Sequence, residues 1–591
     1  MMARGSGGGG GTKKLQIGDL LQTGIIMVYS RSISIAVVAI AVVCFCIYIL
    51  QILILDTAAG LNPYSRTSLL QCTLLDQNQS SIHQITSESS RSNSSRTQNS
   101  YTQQQQQQQQ QQNNNTNNSV IISELNESPG PKSRSGGGTE LSRIVFGIAT
   151  AAKNWSRRKE YIKLWWNSSS CCNNRNNNSS CCNNNNNKNS SCSSTRMRGF
   201  VWLDEEVNET THWSEDWPPY KISEDVSDKS KFNWSDAKRK WGVRISRIVS
   251  ETFRLGLPNV DWFVLGDDDT FFFPQNLVKV LSRYDHTQMR YIGSFSETHS
   301  QNIMLFSYNM AFGGGGFAIS FPLAQALAQM QDECNFRYGQ MFGSDDRLYA
   351  CISELGVPLT KNPGFHQMDI NGDPFGILAA HPVTPILSIH HLDAISPIFP
   401  NKTRLQALQK LTQAAEVESG SVVQQSICYD KELKWSFSVS WGYVVHIHAG
   451  FLTPHEMVLP IQTFASIHRK WDKSEFSFTT RAYSKDRCTH PIRYFVESVR
   501  GPNSNFSQGL LESVYSKEQN EKRAKSNCSQ QLMGPLTSVN QIRVWKEPIH
   551  EDWYQTPRRS CCKIQSWDKE EIGIHIGTCQ DGEFLVGLFH H

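Results

Sequence analysis

The sequence predicts an α/β fold, on two observations: apolar strands alternate with amphipathic helices, and three acidic residues stand at the end of one such strand. Residues 143–149 (RIVFGIA), 199–203 (GFVWL) and 261–265 (DWFVL) read as buried strands. Between the first two, residues 157–166 place Tyr161, Leu164 and Trp165 on one helical face. Between the second and third, residues 236–255 carry Trp241, Ile245, Ile248, Val249 and Phe253 at helical spacing. Strand–helix alternation is the rhythm of a parallel sheet covered on both faces, and ligands of such sheets bind beyond the carboxyl ends of the strands. Asp267, Asp268 and Asp269 occupy such an end.

Taken in order, the chain opens with a tail, residues 1–34, followed by the apolar run 35–55 (IAVVAIAVVCFCIYILQILIL). That run is long enough to cross a bilayer as a helix, which satisfies its own backbone hydrogen bonds. Arg4, Lys13, Lys14 and Arg31 precede it against the single acid Asp19, so the positive-inside rule leaves the tail in the cytosol and sends the body across as a type II protein. Residues 56–138 are rich in Ser, Gln, Asn and Thr, with glutamine throughout 103–112. This composition cannot bury enough apolar surface to offset chain entropy, and it reads as a disordered stem. Acceptor sequences for N-glycosylation at Asn78, Asn93, Asn126, Asn154, Asn208, Asn233, Asn401, Asn505 and Asn527 fit a lumenal body. Cys334, Cys351, Cys428, Cys488, Cys528, Cys561, Cys562 and Cys579 are expected to pair in an oxidising compartment. A second polar tract, 167–195, reads as a loop insertion. Its adjacent cysteines, 171–172 and 181–182, lack the gap that lets two sulfurs reach one zinc. A net charge of +4 over 591 residues is too small for a nucleic-acid footprint.

Four motifs carry chemistry. The triplet Asp267-Asp268-Asp269 packs like charges that raise one another's pKa, and a divalent metal relieves that field. Hard carboxylate oxygens suit Mg²⁺ or Mn²⁺, which keep positions open for phosphates. Gly313, Gly314, Gly315 and Gly316 allow a backbone approach that side chains would block and expose amides to a ligand. Asp345 and Asp346 follow Ser344, a helix cap; one of the two carboxylates is a candidate base for a sugar hydroxyl, against the plainer reading of acids in a first helical turn. His366 is a candidate ligand, against the plainer reading of a structural histidine.

In this order the motifs resemble glycosyltransferase family 31, the Fringe and β1,3-galactosyltransferase superfamily, in its plant branch with a C-terminal region of unknown function. The resemblance rests on residues 262–272 (WFVLGDDDTFF), 308–320 (YNMAFGGGGFAIS), 343–347 (GSDDR), 364–367 (GFHQ) and His390-His391-Leu392-Asp393, and extends from Leu141 to Pro400. It implies a GT-A-type, Rossmann-like mixed sheet flanked by helices, and a type II Golgi membrane enzyme. Such an enzyme would use Mn²⁺ and a UDP-sugar to transfer, with inversion, a hexose or N-acetylhexosamine to a glycan or glycoprotein acceptor. Carried over by position, Asp269 and His366 are the metal ligands and Asp267 and Asp268 face the nucleotide sugar. Asp346, or else Asp345, is the base, and Gly313 to Gly316 line the pocket. The unbroken glycine run departs from Fringe enzymes, which have a Thr or Ala there, so the acceptor contacts are expected to differ.

The organisation expected is therefore a domain at 139–400 and a C-terminal region at 401–591. The latter reads as β-rich from the alternation in 436–449 (SFSVSWGYVVHIHA), the strands around Val544-Trp545 and Phe584-Leu585-Val586, and its cysteines. His446 and His448 share one strand face, where packing competes with metal or glycan binding. The rival to a transferase is a glycan-binding protein without turnover. A metal-dependent phosphohydrolase would require a second metal cluster that the sequence does not supply.

Overall fold

The computed structural model describes residues 138–583, apart from 167–196, 208–212, 215–216, 503–508 and 520–535 and the single or paired positions 485, 487–488, 537, 569 and 582. The expected membrane span, stem and insertion, Cys488, Cys528 and the strand at 584–586 lie outside the described residues. Among the described residues, no helix is long and apolar enough to cross a membrane.

The first strands are β1 (Ile144–Ala149), β2 (Arg198–Leu203), β3 (Tyr220–Ile222), β4 (Trp262–Asp267), β5 (Phe271–Phe272), β6 (Tyr291–Gly293), β7 (Phe317–Ser320) and β8 (Leu359–Lys361). All but β5 form one sheet in the order β3-β2-β1-β4-β7-β6-β8. Strands β3, β2, β1 and β4 run parallel, as the alternation requires, while β7 is antiparallel to both β4 and β6, so the sheet is mixed. The flanking helices are α1 (Ala152–Trp165), α2 (Ala237–Ser246), α3 (Ile248–Arg254), α4 (Pro274–Leu281), α5 (Phe321–Arg337), α6 (Asp345–Glu354) and α7 (Arg404–Glu418). Successive β1 residues serve opposite layers. Phe146 and Ile148 pack in one core with Trp155 and Trp165 of α1 and Leu277 of α4. Val145 packs in the other with Val249 of α3, Leu323 of α5 and Cys351 of α6. Double-sided burial is why β1 and β4 are continuous apolar runs rather than alternating ones.

The single helix expected over 236–255 is two. Asp236 caps α2 through the amides of Lys238 and Arg239, and the chain turns tightly at Arg247 before α3. The Arg247 side chain is buried and paired with Glu224, Glu251 and Asp332, which fixes the break. Trp241, on α2 before the break, lies outward at 39% exposure rather than in the core.

A three-stranded sheet beside the first joins β5 to β9 (Phe365–His366) and β11 (Ser388–Ile389), in the order β5-β11-β9; the intervening β10 is Ile370–Gly372. The C-terminal strands are β12 (Gln425–Asp430), β13 (Trp435–Ser440), β14 (Val444–Ala449), β15 (Phe464–Ser466), β16 (Ile492–Arg500), β17 (Leu511–Lys517), β18 (Gln541–Lys546), β19 (Cys561–Trp567) and β20 (Glu571–Gly577). Eight of them form the sheet β12-β13-β14-β16-β17-β18-β20-β19, so the C-terminal region is β-rich. Its two outermost strands are joined by the disulfide Cys428–Cys562, which brings the two edges of the sheet together. Cys561–Cys579 ties β19 to the chain after β20, and Cys334–Cys351 ties α5 to α6.

The core does not break near residue 400. One apolar cluster runs from Leu141 through Phe375 and Leu411 to Ile576. Across the same boundary β10 pairs with β15, and the Arg493 guanidinium meets Asp373 at 3.0 Å. Asn233 and Asn401, two of the expected glycosylation acceptors, are exposed in left-handed turn conformations.

Candidate active site

The site forms where β4 ends. Asp267 is the last residue of β4, and Asp268 and Asp269 turn the chain into β5, with the Asp267 amide donating to Thr270 Oγ1 at 2.9 Å. Strand β5 pairs antiparallel with β11 so that Phe271 faces Ile389. The residue after β11, His390, therefore emerges beside the residues before β5. Its Nε2 lies 3.2 Å from Asp269 Oδ1 and 3.6 Å from Asp267 Oδ2. Its Nδ1 is 3.2 Å from the Gln367 carbonyl, and donation there leaves Nε2 to face the carboxylates. Asp267, Asp269 and His390 each bring one ligand atom within 4.8 Å of the others.

Around this cluster the charges are arranged unequally. Arg158 of α1 contacts Asp269, lies 3.6 Å from Asp268 and reaches Asp393 at 3.2 Å; Tyr161 donates to Asp393 at 2.9 Å. Asp268 accepts from the Thr150 hydroxyl at the end of β1. Burial pushes Asp267 up to about 7, with the neighbouring carboxylates adding to it, and pushes Asp268 up to about 6. Burial works in the same direction on Asp269, but His390 and Arg158 outweigh it and hold that carboxyl well below the usual range. His390 is pushed up to about 9: burial opposes its charge, and Asp269 and Asp267 overcome that. The group is thus an ion cluster in which Asp267 and Asp269 share His390, while Arg158 adds a permanent positive charge beside Asp268 and Asp269.

The glycine run faces the same cluster, but its amides are largely engaged inside the protein rather than offered to a ligand. The Gly313 N–H donates to Asp345 Oδ2 at 2.9 Å, that of Gly315 to Gln367 Oε1 at 2.6 Å, and that of Gly316 to the Gly313 carbonyl at 3.0 Å. What the run supplies is room. A Cβ on Gly314 would occupy the space of the His390 ring, and Gly316 takes φ +82°, the left-handed region that favours glycine.

Asp345 and Asp346 open α6, with burial pushing both carboxyls up. Ser344 precedes the helix without making a side-chain cap; its hydroxyl donates to Asp345 at 2.9 Å instead. Asp345 lines a cavity with Asp267, Gly313 and Leu265, held there by Ser344 and Gly313. Asp346 accepts from the Arg347 amide at 2.8 Å and stands beside Phe306 and Gly343.

His366 is one strand away. Its Nδ1 lies 3.3 Å from Glu297 Oε1 and its ring is 5.0 Å from that of His381, so it does not join Asp267 and Asp269. The histidine placed beside the triplet is His390, which sequence reasoning recognised only as part of a motif. Its signal was legible: a short, mostly apolar run, residues 386–389 (ILSI), followed by two histidines mirrors the strand end that carries the triplet. Arg158 and Glu297 gave no such signal.

Residues 139–371 match the family described as Fringe-like, and residues 301–562 match the family described as a protein of unknown function, DUF604. Among curated proteins, the chain is 32% identical over 108 residues to a beta-1,3-glucosyltransferase of Mus musculus, covering 18% of this chain and 21% of the relative. It is 36% identical over 119 residues to the beta-1,3-N-acetylglucosaminyltransferase lunatic fringe of Danio rerio, covering 18% of this chain and 32% of the relative. The matches thus span only a fifth to a third of these relatives. A crystal structure of an active-site mutant of LgtC is 14% identical and covers 45% of this chain and 94% of that chain at a TM-score of 0.26, a superposition too loose to bear on the fold. The chain thus carries a Fringe-like region and a DUF604 region that overlap over residues 301–371, which bears out the resemblance to glycosyltransferase family 31.

Proposed function

We propose that this protein is an inverting glycosyltransferase, moving a hexose or N-acetylhexosamine from a UDP-sugar to a hydroxyl of a lumenal glycan or glycoprotein in β1,3 linkage. The observation that carries the reading is the convergence of Asp267, Asp269 and His390 at the carboxyl end of β4, the two carboxylates within the Fringe-like match and His390 within the DUF604 match. Two carboxylates and one imidazole nitrogen form a donor set that fits Mn²⁺ or another divalent cation, so these three residues, rather than His366, are the ligands proposed. The bound ion would supply charge neutralisation for a diphosphate leaving group. Thr150 and Arg158 hold Asp268 and Asp269 in place, and the His390 Nδ1 contact aims its ring.

Asp346 is the proposed base. Asp345 is engaged by the Gly313 amide and the Ser344 hydroxyl in the cavity wall, whereas Asp346 accepts only from backbone amides among the described residues and follows Phe342, which is 57% exposed and suited to a sugar face. A carboxyl raised by burial is better matched to accepting a hydroxyl proton near neutral pH. The stretch 35–55 would anchor the protein in the Golgi membrane as type II, with the domain at 139–400 catalytic and the region 401–591 packed against it.

The test is Mn²⁺-dependent UDP release from a panel of UDP-sugars with glycan acceptors. Release from one donor that is lost in Asp269→Ala supports the reading. Folded protein that binds glycan and releases no UDP from any donor would favour the glycan-binding alternative.

A further inference from the structure

The segment between β6 and the glycine run, residues 294–312, borders the proposed base. Phe306 of this segment packs edge-on against Phe312, with ring centroids 5.3 Å apart. A Cβ added to Gly343 would stand 3.4 Å from Phe306 Cε1 and 3.0 Å from Asp346 Oδ1, so the ring and the carboxylate flank one point on the backbone. Ile303 and Met304, at the outer turn of the segment, are 56% and 76% exposed. An apolar, partly aromatic margin beside a carboxylate base suits the apolar face of a sugar whose hydroxyl is to lose its proton.

The regular structure of this segment among the described residues is one π-helical turn, Gln301–Leu305, so its shape depends on side-chain hydrogen bonds. Ser296, Thr298 and Asn302 are buried polar residues, and such groups need partners. The partners come from two sides. On one, the Glu297 carboxylate accepts from the Asp369 amide at 3.3 Å and lies 3.3 Å from His366 Nδ1. There the hydroxyls of Ser296 and Thr298 donate to the Asp369 side chain and carbonyl. On the other side stand residues 475–477 of the C-terminal region. Phe476 forms an antiparallel bridge with Thr298, the Ser477 amide donates to the Glu297 carbonyl at 2.8 Å, and Glu475 accepts from Ser300 at 3.3 Å.

The Ser477 hydroxyl is the centre of this contact. It donates to the Ser296 carbonyl at 2.9 Å, and its oxygen accepts from Asn302 Nδ2 at 2.9 Å and from the Tyr308 hydroxyl at 3.2 Å. That engages its one proton and both lone pairs. Asn302 and Tyr308 lie on either side of Phe306 in the chain, so a single hydroxyl from the C-terminal region fixes both ends of the stretch that carries the ring.

We infer that the C-terminal region completes the acceptor side of the site. Ser477 is a positioning residue that holds residues 296–308, and with them Phe306, beside Asp346, and the ligand of the wall it supports is the acceptor sugar. The inference rests on the reading of Asp346 as the base of a transferase.

The test compares full-length wild type, Ser477→Ala and Ser477→Thr in transfer to a panel of p-nitrophenyl glycosides, with UDP affinity measured separately by calorimetric titration in Mn²⁺. Ser477→Ala is expected to raise the acceptor KM about 10-fold and to change UDP affinity less than about twofold, because the Asp267 cluster is untouched. Ser477→Thr keeps the hydroxyl at a half-buried position and is expected to restore the acceptor KM to within about threefold. Hydrogen exchange supplies a readout without turnover: in Ser477→Ala, residues 296–308 should exchange about 10-fold faster while β1 and β4 keep the wild-type rate. Folded wild type that binds UDP and transfers to no glycoside refutes the transferase reading and the acceptor role with it, while faster exchange in Ser477→Ala still shows the clamp. Where wild type does transfer, an acceptor KM unchanged in Ser477→Ala overturns the inference, as does unchanged exchange. Equal losses of acceptor and UDP affinity also overturn it, since they mark a general loosening rather than positioning.

Discussion

Replacing His448 by Gln should change stability by an amount that depends on pH, and the size follows from its surroundings. Burial, reinforced by the Arg481 charge, lowers His448 to about 3. The folded state thus holds a neutral imidazole, while the unfolded chain titrates near 6.5. The folded value is depressed, so its contribution is complete above about pH 6.5 and is lost as pH falls toward 3. Between pH 7.5 and 5.5 the unfolded state gains a proton that the native state refuses, a loss of about 1.4 kcal/mol. The whole protein will not show this cleanly, because Asp267 and Glu251, raised to about 7, and His390, raised to about 9, gain stability over the same interval. Those groups are common to wild type and variant and cancel in the difference. Urea midpoints in chloride buffer, free of sulfate and phosphate, should therefore show the cost of His448→Gln shrinking by about 1.4 kcal/mol from pH 7.5 to 5.5. A cost that stays constant to within ~0.3 kcal/mol would refute a neutral, buried His448.

Three further outcomes are expected. His390→Ala should remove Mn²⁺-dependent UDP binding while His366→Ala leaves most of it, measured by calorimetric titration; the opposite ranking would return His366 to the metal site. Gly314→Ala should displace the His390 ring and lower kcat/KM at least tenfold with the melting temperature changed little, because the added Cβ meets one side chain rather than the core. Removing the Cys428–Cys562 bridge with paired alanines should cost about 5 kcal/mol by loop entropy, against about 3 for Cys561–Cys579, since the loops span 134 and 18 residues. Equal losses in denaturant unfolding would argue against closure of the β-sheet as the larger constraint.

Local pattern made much of this protein legible. β1 and β4 announce themselves as apolar runs because both of their faces are buried, and the acidic triplet marks the end of β4 by its own charge density. The caps at Asp236 and Thr403 act within three residues of themselves. The C-terminal strands were visible in the alternation of 436–449, and the order of the four motifs already resembled one family.

Tertiary structure decided what depends on pairing between distant segments. His390 reaches Asp269 only because β5 pairs with β11, and no local periodicity encodes the register Phe271↔Ile389. The same small sheet sets His366 against Glu297 instead. Whether Asp345 or Asp346 turns into the cavity depends on how α6 sits beside the glycine run, and Trp241, expected in the core, instead lies half-exposed beneath Lys153 and Arg244. The disulfide partners likewise follow from which strands become neighbours. Side-chain spacing along a chain fixes the face on which a residue lies, whereas a binding site requires faces from separate elements to meet at one point.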